Sequence, residues 1–200
     1  MVRIVGKTLS ALLLLVLIPV LLANAVTGLS IISDVEKLEK SEFQCQQAGN
    51  SSTALKLNIN GIADSPLRIA GEDYRKIELS PGDFLTESSL AEVGYPDLPA
   101  YSTSLIIPNQ VGVQIRINSV SYEILDNYKI APVQKPHLEG EENIIEQLVI
   151  NEAVYNTDEF YPQQLVMVSE PVIMRDFRGV AVTVNPVQYN PATKQLRVYT

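Results

Sequence analysis

Val111–Ile130 reads VGVQIRINSVSYEILDNYKI and carries the clearest periodicity in the chain. Val113, Ile115 and Ile117 alternate with Gln114 and Arg116, and Val120, Tyr122 and Ile124 continue the alternation one residue out of phase. Successive side chains of a strand point to opposite faces, so the stretch reads as a long strand with a bulge near Asn118-Ser119 absorbing the slip. Outward from it the same period recurs in shorter runs. Leu55, Leu57 and Ile59 alternate up to Gly61, and Tyr74–Leu79 (YRKIEL) stops at the turn signal Ser80-Pro81-Gly82-Asp83. Gln164–Ser169 (QLVMVS), Gly179–Asn185 (GVAVTVN) and Gln195–Thr200 (QLRVYT) follow, the last two separated by Asn190-Pro191-Ala192-Thr193-Lys194, a hairpin turn. Many short strands, 12 prolines and no long 3.6-residue period predict an all-β fold, an antiparallel β-sandwich. Alternation turns Val113, Ile115, Ile117, Val182, Val184, Leu196 and Val198 inward.

The N-terminus reads differently. Arg3 and Lys7 precede an apolar core, Ala11 to Leu22, and Ala23-Asn24-Ala25 supplies a small-x-small cleavage site. Pro19 interrupts the apolar stretch, which falls short of the ~20 residues a spanning helix needs. Residues 1–25 are therefore expected to be a signal peptide, cut between Ala25 and Val26, leaving an exported product with no stable membrane anchor. No cysteine follows the cut closely enough for lipid attachment. Residues 26–50 read as a leader, with Val35, Leu38 and Glu42 at the spacing of a short helix, and 51–200 as one sandwich domain. The alternation is still running at Thr200, so the last strand reads as interrupted.

Composition narrows the chemistry. The 200 residues hold 15 basic and 23 acidic side chains, a net charge of −8 that argues against nucleic acid as a partner. One Cys and one His exclude an intrachain disulfide and multi-ligand zinc sites. Neither a cofactor motif nor a metal site is expected: the acidic runs Glu139-Gly140-Glu141-Glu142 and Asp158-Glu159 lack calcium-loop spacing, and phosphate-binding and G-x-S-x-G patterns are missing. Cys45 and His137 could form a nucleophilic dyad only if the fold brought them together, and nothing in their surroundings does so. This chain does not read as a catalyst.

Three stretches resemble one family. Gly94-Tyr95-Pro96-Asp97-Leu98-Pro99 is similar to the G-x-P-x-L-P segment of the propeptides of gingipain-type secreted cysteine peptidases. Tyr155-Asn156 with Phe160-Tyr161-Pro162 resembles that family's Y-N…(F/Y)-(F/Y)-P step. Met174–Tyr199, MRDFRGVAVTVNPVQYNPATKQLRVY, is similar to its R-D-x-R-G…P-x-Q-Y-N-P-x-T-K-x-L block almost position for position. The resemblance implies a jelly-roll-like sandwich that assists folding of a cysteine peptidase catalytic domain and covers its cleft until proteolysis. That partner would act in cis within an intact precursor or in trans, and the missing dyad would belong to it.

The family inhibits through a loop that follows an I-A-P segment. Ile130-Ala131-Pro132 matches, which places the loop at Val133–Glu142 and makes Lys135, Pro136 and His137 its candidate residues. Lys135 would anchor an acidic pocket, and Pro136 would make the next bond a poor substrate; the other reading of Lys135 is a solvated loop lysine. Lysine is a point charge without the bidentate fork of arginine. Within the last motif block Arg175, Asp176, Arg178 and Gly179 read as structural, Tyr189 as a core or corner tyrosine, and Asn190 and Pro191 as turn chemistry. A stand-alone binding or adhesion sandwich is the competing function.

Overall fold

The computed structural model describes residues 29–47, 53–80, 86–88, 92–109, 113–135 and 148–200. The signal segment, including Ala23, Ala25 and Val26, lies outside them, as do Pro136 and His137. In chain order the strands are β1 (Ser30–Ile32), β2 (Glu42–Gln47), β3 (Thr53–Asn58), β4 (Gly61–Ile69), β5 (Glu72–Leu79), β6 (Thr86–Ser88), β7 (Ala100–Ile107) and β8 (Tyr122–Leu125). A single-turn helix α1 (Glu152–Tyr155) precedes β9 (Val166–Val168), β10 (Val172–Met174), β11 (Phe177–Val184), β12 (Val187–Asn190) and β13 (Gln195–Tyr199). They form sheets ordered β1-β4-β5, β10-β11-β7-β6 with β9 also on β11, β12-β13-β8, and the ribbon β2-β3. Every strand pairing among the described residues is antiparallel except β1 with β4.

The core forms where the β4-β5 sheet faces the β12-β13 hairpin. Ile62, Ile77 and Leu79 come from one side, Val187, Tyr189, Leu196 and Val198 from the other, with Ile59, Leu98, Tyr101 and Ile130 completing the cluster. The strict alternation of β13 puts Leu196 and Val198 in the core while Gln195, Arg197 and Tyr199 are only half-buried. Val182 is buried and Val184 half-buried. Asn190 makes the β12-β13 turn by accepting from the Ala192 and Thr193 N–H groups through Oδ1, an Asx turn, and Lys194 takes a left-handed φ of 55°. Gly61 has a steric reason: a Cβ there would sit 2.5 Å from the Ser30 carbonyl oxygen of the adjoining β1.

Two expectations are corrected. Val113, Ile115 and Ile117 do not face inward; they are 41%, 47% and 52% exposed. Residues 113–121 belong to no strand, and among the described residues of the long predicted strand Tyr122–Leu125 alone enters a sheet, so no bulge at Asn118-Ser119 is needed. Periodicity reports an extended backbone with two unlike faces, and among the described residues no second layer lies over the apolar one. The short helix that is one reading of the leader, beside a loose segment, does not form among its described residues. Val35–Lys37 is one 3-10 turn capped by Asp34, whereas residues 42–47 pair with β3 and residues 30–32 with β4. Isolated turns of helix gain little without a packed apolar face, and strand partners were available.

Candidate functional site

Gly94 ties together three stretches of chain that are distant in sequence. Its N–H donates to the Val133 carbonyl at 2.8 Å, and its own carbonyl accepts from the Asn151 N–H at 2.9 Å. The neighbouring residues extend this join: Val133 N–H donates to Tyr95 O at 2.8 Å, Asp97 N–H to Ala131 O at 2.9 Å, and Pro96 bridges Pro132. Gly94 has φ +93°, and a Cβ would lie 3.0 Å from the Asn151 nitrogen. Glycine is required by both the backbone conformation and the close approach. The G-x-P-x-L-P segment thus forms a seam along Ile130–Val133, with Pro96, Leu98 and Pro99 buried.

Gln134 continues the join with its side chain. Oε1 accepts from the Val149 N–H at 2.9 Å, while Nε2 donates to the carbonyls of Val149 at 3.0 Å, Val133 at 3.0 Å and Pro132 at 3.1 Å. Asn151 then caps α1 by accepting from the Ala153 N–H, and the Tyr155 hydroxyl at the helix end donates to the Ile130 carbonyl at 3.1 Å. Burial pushes the Tyr155 phenol well above its usual range, with Tyr189, Tyr74 and Asp97 adding to the effect. Gln134 and Val149 therefore stand side by side on one seam. Lys135 is exposed at the first root, next to Gln134.

A second polar cluster braces the seam from below. Asp64 is buried and receives Arg75 Nε at 2.6 Å and the Tyr128 hydroxyl at 3.0 Å, while the Arg75 N–H donates to the Lys129 carbonyl. Desolvation, then the Asp64 carboxylate, push the Tyr128 phenol up to about 12. Tyr74 is likewise pushed up to about 12, by burial and then by Glu72. Tyr189 is buried, and its hydroxyl reaches the Tyr128 carbonyl at 3.2 Å.

The remaining sequence-predicted residues lie elsewhere. Arg175 and Asp176 form the turn of the β10-β11 hairpin, Arg175 with a left-handed φ of 54°. Arg178 Nη1 donates to the Pro108 carbonyl at 3.2 Å, and Gly179 sits opposite Ile106 on β7, where a Cβ would lie 3.3 Å from the Leu105 carbonyl oxygen. Asn190 Nδ2 donates to Asp158 at 2.8 Å, and Pro191 is half-buried in the turn that follows. Cys45 is exposed on β2. Among the described residues no group of three or more His, Cys, Asp or Glu could hold a metal ion. A cleft of about 530 Å³ between the Pro96–Ala100 seam and Phe160–Gln164 is mostly apolar, with Glu159 the one carboxylate among its described lining residues. Sequence reading missed Gln134 and Asn151, because a glutamine that bonds across a gap in sequence leaves no spacing signature.

The family model Propeptide_C25 matches residues 79–200. The chain belongs to that family. Gingipain R2 of Porphyromonas gingivalis is 27% identical over 173 residues, covering 86% of this chain and 23% of that protein. Lys-gingipain of the same species is 25% identical over 187 residues, covering 89% of this chain and 11% of that protein. The chain thus spans about a quarter or less of the length of these relatives. Among solved structures, the complex of Porphyromonas gingivalis RgpB pro- and mature domains aligns with a TM-score of 0.69 at 25% identity, over 79% of this chain and 80% of that one. A structure concerning zymogenic latency of gingipain K aligns with a TM-score of 0.66 at 21% identity, over 82% of this chain and 90% of that one, a likeness of fold. The Propeptide_C25 match takes in the seam, both loop roots and the β12-β13 core hairpin. Among the described residues no helix is long and apolar enough to cross a membrane.

Proposed function

We propose that this Propeptide_C25 domain is exported, assists the folding of a gingipain-type cysteine peptidase catalytic domain, and keeps that domain inactive by covering its cleft. The catalytic domain is its partner, in cis within a precursor or in trans. Signal cleavage between Ala25 and Val26 accompanies export. The observation that carries this reading is the seam: in a propeptide-family chain, Gly94, Val133, Gln134, Val149 and Asn151 fix both roots of one segment, with Lys135 exposed at its start.

The physical mechanism is occupation without turnover. The Lys135 ammonium enters an acidic specificity pocket, and Pro136 removes the N–H and the conformational freedom that a cleavable bond needs. Inhibition assays with the cognate catalytic domain test it. Lys135→Ala is expected to weaken inhibition by about 2–4 kcal/mol, the range for truncating one partner of a buried charged pair. Inhibition that survives Lys135→Ala but is lost on replacing Arg175 or Arg178 would move the inhibitory element to the β10-β11 turn. A folded domain that does not inhibit at all would favour the stand-alone binding module.

A further inference from the structure

A glutamine at a loop root is ordinarily hydrated. Gln134 instead commits both ends of its amide to backbone groups. Toward Val149 it makes a two-point contact, Oε1 accepting from N–H at 2.9 Å and Nε2 donating to the carbonyl at 3.0 Å. That is the exchange two backbone residues make in a hydrogen-bonded antiparallel pair, here performed by one side chain. The same Nε2 faces the Val133 and Pro132 carbonyls, so the side chain is held from its own stretch of chain as well. The Gly94 bonds to Val133 and Asn151 lie just behind it and close the root independently.

We propose that Gln134 is a positioning residue for inhibition: it joins the two roots of the 135–148 segment and so presets the backbone of Lys135 before the peptidase arrives. This rests on the inhibitory reading given above. The physical ground is preorganisation. Ordering a loop on binding costs free energy that a root fixed in the free domain has already met. Lys135 follows Gln134 directly, so its Cα is one 3.8 Å virtual bond from a fixed point. Val149 is exposed, so losing Gln134 lets water satisfy the freed Val149 groups. A Gln134 variant should therefore lose inhibition while keeping its fold, the opposite of a core defect.

The test uses Gln134→Met, which keeps the length of the side chain without its hydrogen bonds, and Gln134→Glu, which removes the donor and turns a charge toward three carbonyl oxygens. Three readouts are taken: amide exchange at Val149 in the free domain, the denaturant midpoint, and the inhibition constant against the cognate catalytic domain. The expected result is a loss of Val149 protection, a nearly unchanged midpoint, and inhibition about tenfold weaker for Met and weaker still for Glu. A Val149 amide as unprotected in the wild type as in the variants overturns the clamp. Unchanged inhibition by both variants, with a wild type that inhibits, overturns the positioning role alone. A folded wild type that does not inhibit removes the propeptide reading and the positioning role with it, whereas the Val149 exchange still reports on the clamp.

Discussion

The β12-β13 hairpin and the 113–120 stretch look alike on paper and behave as opposites in the fold. Both alternate apolar and polar residues. In the hairpin Val187, Tyr189, Leu196 and Val198 are all buried against the β4-β5 sheet. In the stretch Val113, Ile115, Ile117 and Val120 are all exposed, as are Val172, Ile173, Met174 and Phe177 around the β10-β11 turn. Alternation sets the direction of a side chain relative to its own backbone. Whether that direction is inward depends on a second layer arriving from elsewhere in the chain, which a local pattern cannot encode.

The largest expected effect sets the two regions directly against each other. Leu196→Ala should destabilise the domain by about 2–5 kcal/mol, through lost transfer energy and the cavity left between sheets. Ile115→Ala should stay within about 0.5 kcal/mol, as exposed positions do. Denaturant melts of the two variants measure this, and similar losses would mean that the 113–120 stretch is covered after all. Asp64→Ala should cost about 1–3 kcal/mol, because the Arg75 guanidinium and the Tyr128 hydroxyl both lose an acceptor beneath the seam.

Alkaline pH gives a smaller, graded effect confined to the buried region. Free phenols titrate near 10, whereas Tyr74 and Tyr128 are pushed up to about 12 and Tyr155 and Tyr189 are raised in the same direction, all chiefly by burial. Between those values the unfolded chain gives up protons that the folded one keeps. The stabilisation is complete below about pH 10 and is lost as pH rises through about 12. Stability measured against pH should be flat up to that window and then fall. Tyr128→Phe should shallow the fall, and a fall of unchanged steepness in that variant would take Tyr128 out of the account.

Legibility in the sequence followed the same division. Val182, Leu196 and Val198 are inward because distant strands cover the face their alternation defines. The recurring alternation announced the β class, and the β12-β13 turn built by Asn190 could be read because it depends on residues two and three positions on. The strands at 30–32 and 42–47 could not, since their partners begin at Gly61 and Thr53 and the local spacing favoured a short helix. The seam was half legible. Gly94 and Pro96 stood out as part of the family-like motif, but their partners Val133 and Asn151 are set by the fold. Gln134 carried no signal, because its role depends on a residue fifteen positions on.

Protection of the peptidase's catalytic cysteine from alkylation tests the central claim most directly. The folded wild-type domain is mixed with the cognate catalytic domain at increasing molar ratio, and the rate of thiol labelling is followed beside hydrolysis of a small substrate. Occupation of the cleft predicts that both rates fall together and approach zero near one equivalent, with Lys135→Ala requiring a large excess. Labelling and hydrolysis that continue undiminished in the presence of the folded domain would contradict the account.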